Sequence, residues 1–187
     1  KIPGIWARVS AIDVDGRTFA GLGGAWDRQA DTIYLYDAIE LPRGEFAVHA
    51  EAMRKREPWI PAMFDMRASG RTQEEGERIA YRMADLGVEV STVEVDQEAA
   101  ITDIANRMAT GRLKVFGTLV PWFAAFRRYT RNEKRELNEE GDSLMRATAM
   151  IVSYGREVAI TEARAISDAR GLRPQEFNGG GRAATGY

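Results

Sequence analysis

Three aspartates stand where regular elements begin or end, and they are the residues of this chain best suited to chemistry: Asp13, Asp65 and Asp142. Asp13 lies near the end of Arg8-Val-Ser-Ala-Ile-Asp-Val-Asp15, an apolar alternating strand that runs into Gly16-Arg-Thr. A carboxylate held there by rigid backbone suits a metal ligand or a catalytic acid, although the same residues also suit an ordinary Asp-Gly turn. Asp65 closes a second short apolar run, Ala62-Met-Phe-Asp. Asp142 follows Gly141 at the start of a helix, where Asp is also a preferred N-cap. If the first two strands are parallel neighbours, both acids reach the same sheet edge, the place where ligands bind in open α/β sheets. Three carboxylates meeting there would repel one another without cations. Two divalent ions about 4 Å apart would relieve that repulsion and clamp the attacking and leaving oxygens of a phosphodiester.

The rest of the composition narrows the chemistry. The 187 residues include no cysteine and one histidine, His49, so thiolate chemistry and a histidine-built zinc site are both excluded. Hard-metal chemistry through carboxylates remains. His49 falls among charged residues and reads as a solvated helix residue. The net charge of −2 gives no sign of an anionic partner, but its distribution does. Between Ile104 and Arg135 stand eight basic residues (Arg107, Arg112, Lys114, Arg127, Arg128, Arg131, Lys134, Arg135) against one acid, Glu133. A basic lip beside an acidic centre suits DNA, with some of these side chains expected to be solvated helix faces. No apolar run approaches the roughly 20 residues needed to cross a membrane, and no signal peptide is visible. The chain begins at Lys1 without Met, as a piece of a longer protein would.

The elements that must position these residues follow from the pattern. Strands are expected at residues 8–14, 18–26 and 32–40, joined by short turns into an antiparallel meander. A helix is expected over 45–56, a strand at 62–65, and a helix from the capping box Thr72-Gln-Glu-Glu75 to Leu86. A strand at 88–95, a helix at 97–110 capped by Asp96, a short strand at 114–116 and an aromatic helix at 119–129 come next. A polar stretch, 130–140, leads to a helix from Asp142 to about Tyr154, with Met145, Ala149 and Val152 facing the sheet. The fold class is therefore α/β: a mixed sheet, an antiparallel three-strand meander plus parallel strands, flanked by helices on both faces. Two regions are expected, a main domain over residues 1–155 and a tail over 156–187. The tail has helical character at first and ends in a low-complexity stretch, 178–187, expected to be disordered.

At this point the sequence resembles the C-terminal nuclease domain of the large terminase subunit of tailed bacteriophages, within the RNase H-like superfamily. The residues that carry the resemblance are the Ile12-Asp13 strand, the Phe64-Asp65 strand end, and the run Trp122-Phe-Ala-Ala-Phe-Arg-Arg-Tyr-Thr-Arg-Asn-Glu-Lys134 followed by Gly141-Asp-Ser-Leu-Met-Arg-Ala-Thr148. It implies that Asp13, Asp65 and Asp142 bind two Mg²⁺ or Mn²⁺ ions, with Asp15 a candidate further ligand or a turn residue. It implies a packaging-motor endonuclease that cuts concatemeric double-stranded DNA in the host bacterial cytoplasm. Arg127, Arg128, Arg131 and Lys134 are the expected contacts to the DNA backbone. Members of the family often carry acids where this chain has Ser143 and Arg146, which weakens the hold on a second ion. No G-x-x-x-x-G-K-[ST] motif is present, so the resemblance places the ATPase domain elsewhere in the full-length protein, together with portal and small-subunit contacts, and leaves this fragment monomeric. A junction resolvase of the same superfamily, or a docking module with weak or no autonomous catalysis, are the rival readings.

Overall fold

The computed structural model describes residues 1–15, 17–68, 71–88, 90–129 and 142–170. The expected contacts Arg131 and Lys134, the polar stretch 130–140 and the tail end 178–187 lie outside the described residues.

Strands β1 (Ala7–Val14), β2 (Thr18–Asp27) and β3 (Thr32–Pro42) form the expected antiparallel meander. The Asp27 carboxylate ties the second turn by accepting from the amides of Gln29 and Ala30, at 3.0 and 3.1 Å. After helix α1 (Phe46–Arg54), strand β4 (Ala62–Asp65) lies parallel to β1, with Ile12 opposite Phe64. Strand β5 (Val90–Val93) lies parallel to β4, and β6 (Leu113–Val115) parallel to β3. The sheet order is β5-β4-β1-β2-β3-β6. Helices α2 (Gln73–Asp85), α3 (Gln97–Ala109), α4 (Val120–Arg128), α5 (Ser143–Val158) and α6 (Glu162–Ala169) complete the chain. The caps read from sequence are in place: Thr72 and Glu75 close a reciprocal capping box on α2, and Asp96 accepts from the Ala99 amide on α3.

Alternation along the strands sends residues to two separate cores. Ile12, Val14, Phe19 and Phe64 pack with Ala50 and Met53 of α1 and Ile79 and Met83 of α2. Ala11, Leu22, Leu35 and Met63 pack with Trp122 of α4 and with α5 on the opposite face. Helices thus cover both faces of a mixed sheet, as the sequence pattern predicts.

Two expectations change. Helix α5 buries every residue from Ser143 to Val152, not one face only, because the sheet lies on one side of it and α3 and α4 on the other. Gly24 of β2 allows this close approach: a Cβ there would lie 2.9 Å from Ile151 Cγ2. Trp122 Nε1 fastens α4 to α5 by donating to Thr148 Oγ1 at 2.9 Å. His49 is no solvated residue; it is 2 % exposed and stacks on Phe19 with ring centroids 4.3 Å apart. The face of α1 that meets the sheet is His49, Ala50 and Met53, while Val48 points outward. Beyond α5, Ala159 is buried in the α5-side core and Ile160 bridges to Arg8 of β1.

Candidate active site

The strand register decides where the first two acids emerge. Ala11 and Met63 are partners in the parallel β1–β4 ladder, and both face the α5 core. Asp13 and Asp65 each stand two residues further on, so both carboxylates arise on the α5 side at the carboxyl ends of neighbouring strands. Helix α5 starts at the same edge. The Asp142 carbonyl accepts from the amides of Met145 and Arg146, at 2.7 and 2.9 Å, and opens the helix. Its side chain makes no cap bond and turns to Arg146 Nη1, one helical turn on.

Arg146 is the centre of the cluster. Its Nε donates to Asp13 Oδ2 at 2.9 Å, and its Nη2 lies 2.7 Å from the same oxygen. Nη2 also reaches Asp15 Oδ2 at 3.3 Å and Ser143 Oγ at 3.1 Å, while the Ser143 hydroxyl donates to Asp15 Oδ2 at 2.7 Å. Asp13 is 0 % exposed, and Asp142 and Arg146 are almost as deeply buried. A second guanidinium closes the other side. Arg71 Nη2 donates to Asp13 Oδ1 at 3.3 Å and to the Asp65 carbonyl at 2.8 Å, and Nη1 donates to the Val14 carbonyl. Both oxygens of Asp13 are therefore held by arginines. The Asp65 carboxylate accepts from two backbone amides, Arg67 at 3.0 Å and Val95 at 3.3 Å.

Burial pushes the Asp15 carboxyl up, but opposing contacts prevail. The Arg17 amide, the Ser143 hydroxyl, the Thr18 amide and the Arg146 charge together hold it below the ordinary carboxylate value. Asp15 thus closes the turn, through the Arg17 and Thr18 amides, and also joins the cluster, through Ser143 and Arg146.

The donor set is chemically suited to a hard divalent ion: four carboxylates, all oxygen, against two guanidinium groups, which leaves an excess of negative charge. Among the described residues, no three acidic or histidine side chains stand together as a ready cage for an ion. The carboxylates of Asp13, Asp15 and Asp142 surround Arg146 instead. Asp13 and Asp142 are donors of the type that suits such an ion, and Arg146 lies between them.

The basic block divides. Arg107 and Arg112 pair with Asp31, at 3.4 and 3.3 Å, and Lys114 lies over the Tyr34 ring at 5.3 Å. These residues neighbour the start of β3, whereas Asp13 stands level with Glu40 near its end, through Ala20 of β2. Those three cations serve the opposite end of the sheet. Arg127 and Arg128 end α4, and the next residue, Tyr129, accepts from Gln97 Nε2 at 2.8 Å. Gln97 is two residues past Val95, whose amide holds Asp65, so this helix end lies on the acidic edge. Arg71 escaped the sequence reading because it sits in a loop of small residues; its position immediately before a capping box, after a strand-end acid, was the available signal.

No protein-family model matches the chain. In sequence it is 25 % identical over 130 residues to the large terminase subunits of Salmonella phage P22 and Enterobacteria phage LP7, matching 66 % of this chain and about a quarter of theirs (26 % and 27 %). In structure it superposes on the P22 large terminase nuclease domain with a TM-score of 0.78 at 23 % identity, covering 88 % of this chain and 89 % of that one. The chain has the fold of a phage large-terminase nuclease domain. The terminase nuclease domain of bacteriophage SPP1, solved with bound Mn, aligns with a TM-score of 0.59 at 12 % identity, over 81 % of this chain and 86 % of that one. The human cytomegalovirus terminase nuclease domain, Mn-soaked and inhibitor-bound, aligns with a TM-score of 0.52 at 10 % identity, over 84 % and 89 %. The terminase resemblance and the RNase H-like mixed sheet expected from sequence thus hold at the level of the fold. No helix among the described residues is long and apolar enough to cross a membrane.

Proposed function

We propose that this chain is the nuclease domain of a genome-packaging motor, a divalent-metal-dependent endonuclease that cuts concatemeric double-stranded DNA with little sequence preference. The observation that carries the reading is the convergence of Asp13, Asp15 and Asp142 on one buried point, with Asp65 on the adjacent parallel strand. The terminase nuclease fold and the Mn-bound SPP1 relative support it.

Asp13 and Asp142 would hold the metal, with Asp65 and Asp15 as further oxygen donors. Divalent ions held there would supply Lewis-acid charge for phosphodiester hydrolysis. The protein supplies rigidity. Asp13 is anchored on a central strand, Asp142 at the start of a helix buried from Ser143 to Val152, and Asp65 by two amides, so taking up an ion would require Arg146, rather than these carboxylates, to move. Arg71 and Arg146 offset part of the carboxylate charge. Arg146 stands where the family resemblance implies an acid, and it favours a first ion held more firmly than a second.

Arg127 and Arg128 at the end of α4, with Arg131 and Lys134 beyond it, would contact phosphates without reading bases. Double-stranded DNA is the partner proposed for this chain. An ATPase domain, portal and small subunit are the partners proposed for the full-length protein, acting in the host cytoplasm during assembly. We propose that residues 1–155 form the catalytic unit, that the segment to Ile160 is packed onto it through Ala159 and the bridge to Arg8, and that the residues beyond form an appended tail. Cleavage of unrelated plasmids in Mn²⁺, in Mg²⁺ and in EDTA tests the reading. A second reading, a docking module of the motor with silent chemistry, is favoured by one observation: a guanidinium fills the centre of the carboxylates. Divalent-ion titration separates the two, because a pure docking module takes up no ion at these acids.

A further inference from the structure

We infer that a groove between α1 and α2 holds the sugar–phosphate backbone of one DNA strand and leads it to the carboxylate centre; this rests on the nuclease reading above. The groove, about 730 Å³, is lined on one side by the α2 residues Arg78, Tyr81 and Arg82 and on the other by Arg43. Its floor runs to Asp15 and Arg71, the two residues that also belong to the acidic cluster. The groove therefore abuts the centre, with the buried Arg71 guanidinium and Asp15 between them, and opens on the face of the sheet opposite α5.

Its charges are sorted in a way that suits a polyanion. The two acids that line it both have hydrogen-bond partners within the chain. Asp15 accepts from Ser143 and Arg146. Glu75 accepts from the Thr72 amide and hydroxyl in the capping box, which holds its carboxyl below the ordinary value. The arginines are not engaged in the same way. Arg43 and Arg82 are exposed and make no side-chain ion pair or hydrogen bond among the described residues, and Arg78 has only a solvent-exposed Glu74 at 3.7 Å. An exposed pair of that kind contributes little and exchanges readily for a phosphate. Tyr81, 75 % exposed, adds an aromatic face beside the cations, a combination that suits nucleic-acid backbone and base surfaces. Helical spacing places Arg78, Tyr81 and Arg82 together, so a strand following α2 meets each in turn before reaching Arg71.

The test uses fluorescence anisotropy with labelled duplexes of unrelated sequence, in EDTA so that no strand is cut, across a range of salt concentrations. Arg78→Ala/Arg82→Ala is compared with Arg127→Ala/Arg128→Ala and with wild type, all first shown to melt alike. The groove predicts weaker binding by the α2 double variant on every sequence. Its salt slope should fall by about 0.9 for each phosphate no longer neutralised, close to 1.8 for the pair. Unchanged affinity and slope in the α2 variant, while wild type binds and cuts, would overturn the groove and leave the nuclease reading standing. Wild type that neither binds nor cuts would overturn both.

Discussion

Arg146 Nε lies 2.9 Å from Oδ2 of Asp13, and both groups are shut away from solvent. A buried charge is costly unless it is paired, and in this protein two arginines pair with Asp13: Arg71, just before α2, and Arg146, on the helix that also presents Asp142. The pairing therefore bears on both stability and metal uptake.

Arg146→Ala removes the buried partner of Asp142 and one of the two arginines that hold Asp13. Breaking such a pair by deleting one member costs about 3–5 kcal/mol, so the variant should melt well below wild type in EDTA. A divalent ion should then take the vacated place. Adding Mn²⁺ should raise the melting temperature of Arg146→Ala by more than it raises that of wild type. Equal melting in EDTA, or a variant indifferent to Mn²⁺, would show that the arginine does not stand in for a metal.

Asp15 gives a pH dependence whose sign follows from its contacts. Its carboxyl is held below the ordinary value in the folded state, so the stabilisation it supplies is fully present above the unfolded value, near 3.8. That stabilisation is lost as pH falls through the lowered folded value. Asp15→Asn should therefore be less stable than wild type at neutral pH, and the difference should shrink through the acid limb. Denaturant melts at a series of pH values check this; a gap that widens toward low pH would contradict it.

Gly24→Ala tests how the fold positions the site. The new methyl would meet Ile151 Cγ2 at 2.9 Å, and overpacking of this kind costs about 1–3 kcal/mol. Because Ile151 and Asp142 share α5, the shift should carry the Asp142 carboxylate with it. Loss of Mn²⁺ affinity by calorimetry, in a variant still folded at the assay temperature, is the expected result. Unaltered affinity would mean that the helix start is set independently of its seat on the sheet.

What was legible in the sequence was local. Asp13 and Asp65 could be placed at strand ends because alternation and turn chemistry fix a strand's limits, and Thr72 and Asp96 could be placed as caps because a cap satisfies amides within its own helix. What the sequence concealed was decided by partners distant along the chain. His49 sits among charged residues, and its burial depends on Phe19, thirty positions away on another element. Arg107 and Arg112 lie within a basic block, yet Asp31 in a hairpin turn draws them to the far end of the sheet. Arg146 could be seen as a departure from the family pattern, but not as the hub of three carboxylates, since that needs β1 and α5 side by side.

Plasmid cleavage by wild type, Asp13→Asn and Asp142→Asn, in Mn²⁺, in Mg²⁺ and in EDTA, bears most directly on function. Wild type should cut plasmids of unrelated sequence in a divalent ion and leave them intact in EDTA, and each substitution should reduce cutting to background while the protein remains folded. Folded wild type that leaves every plasmid intact in both metals, or an Asp13→Asn variant that cuts as well as wild type, would contradict a carboxylate-held metal nuclease at this centre.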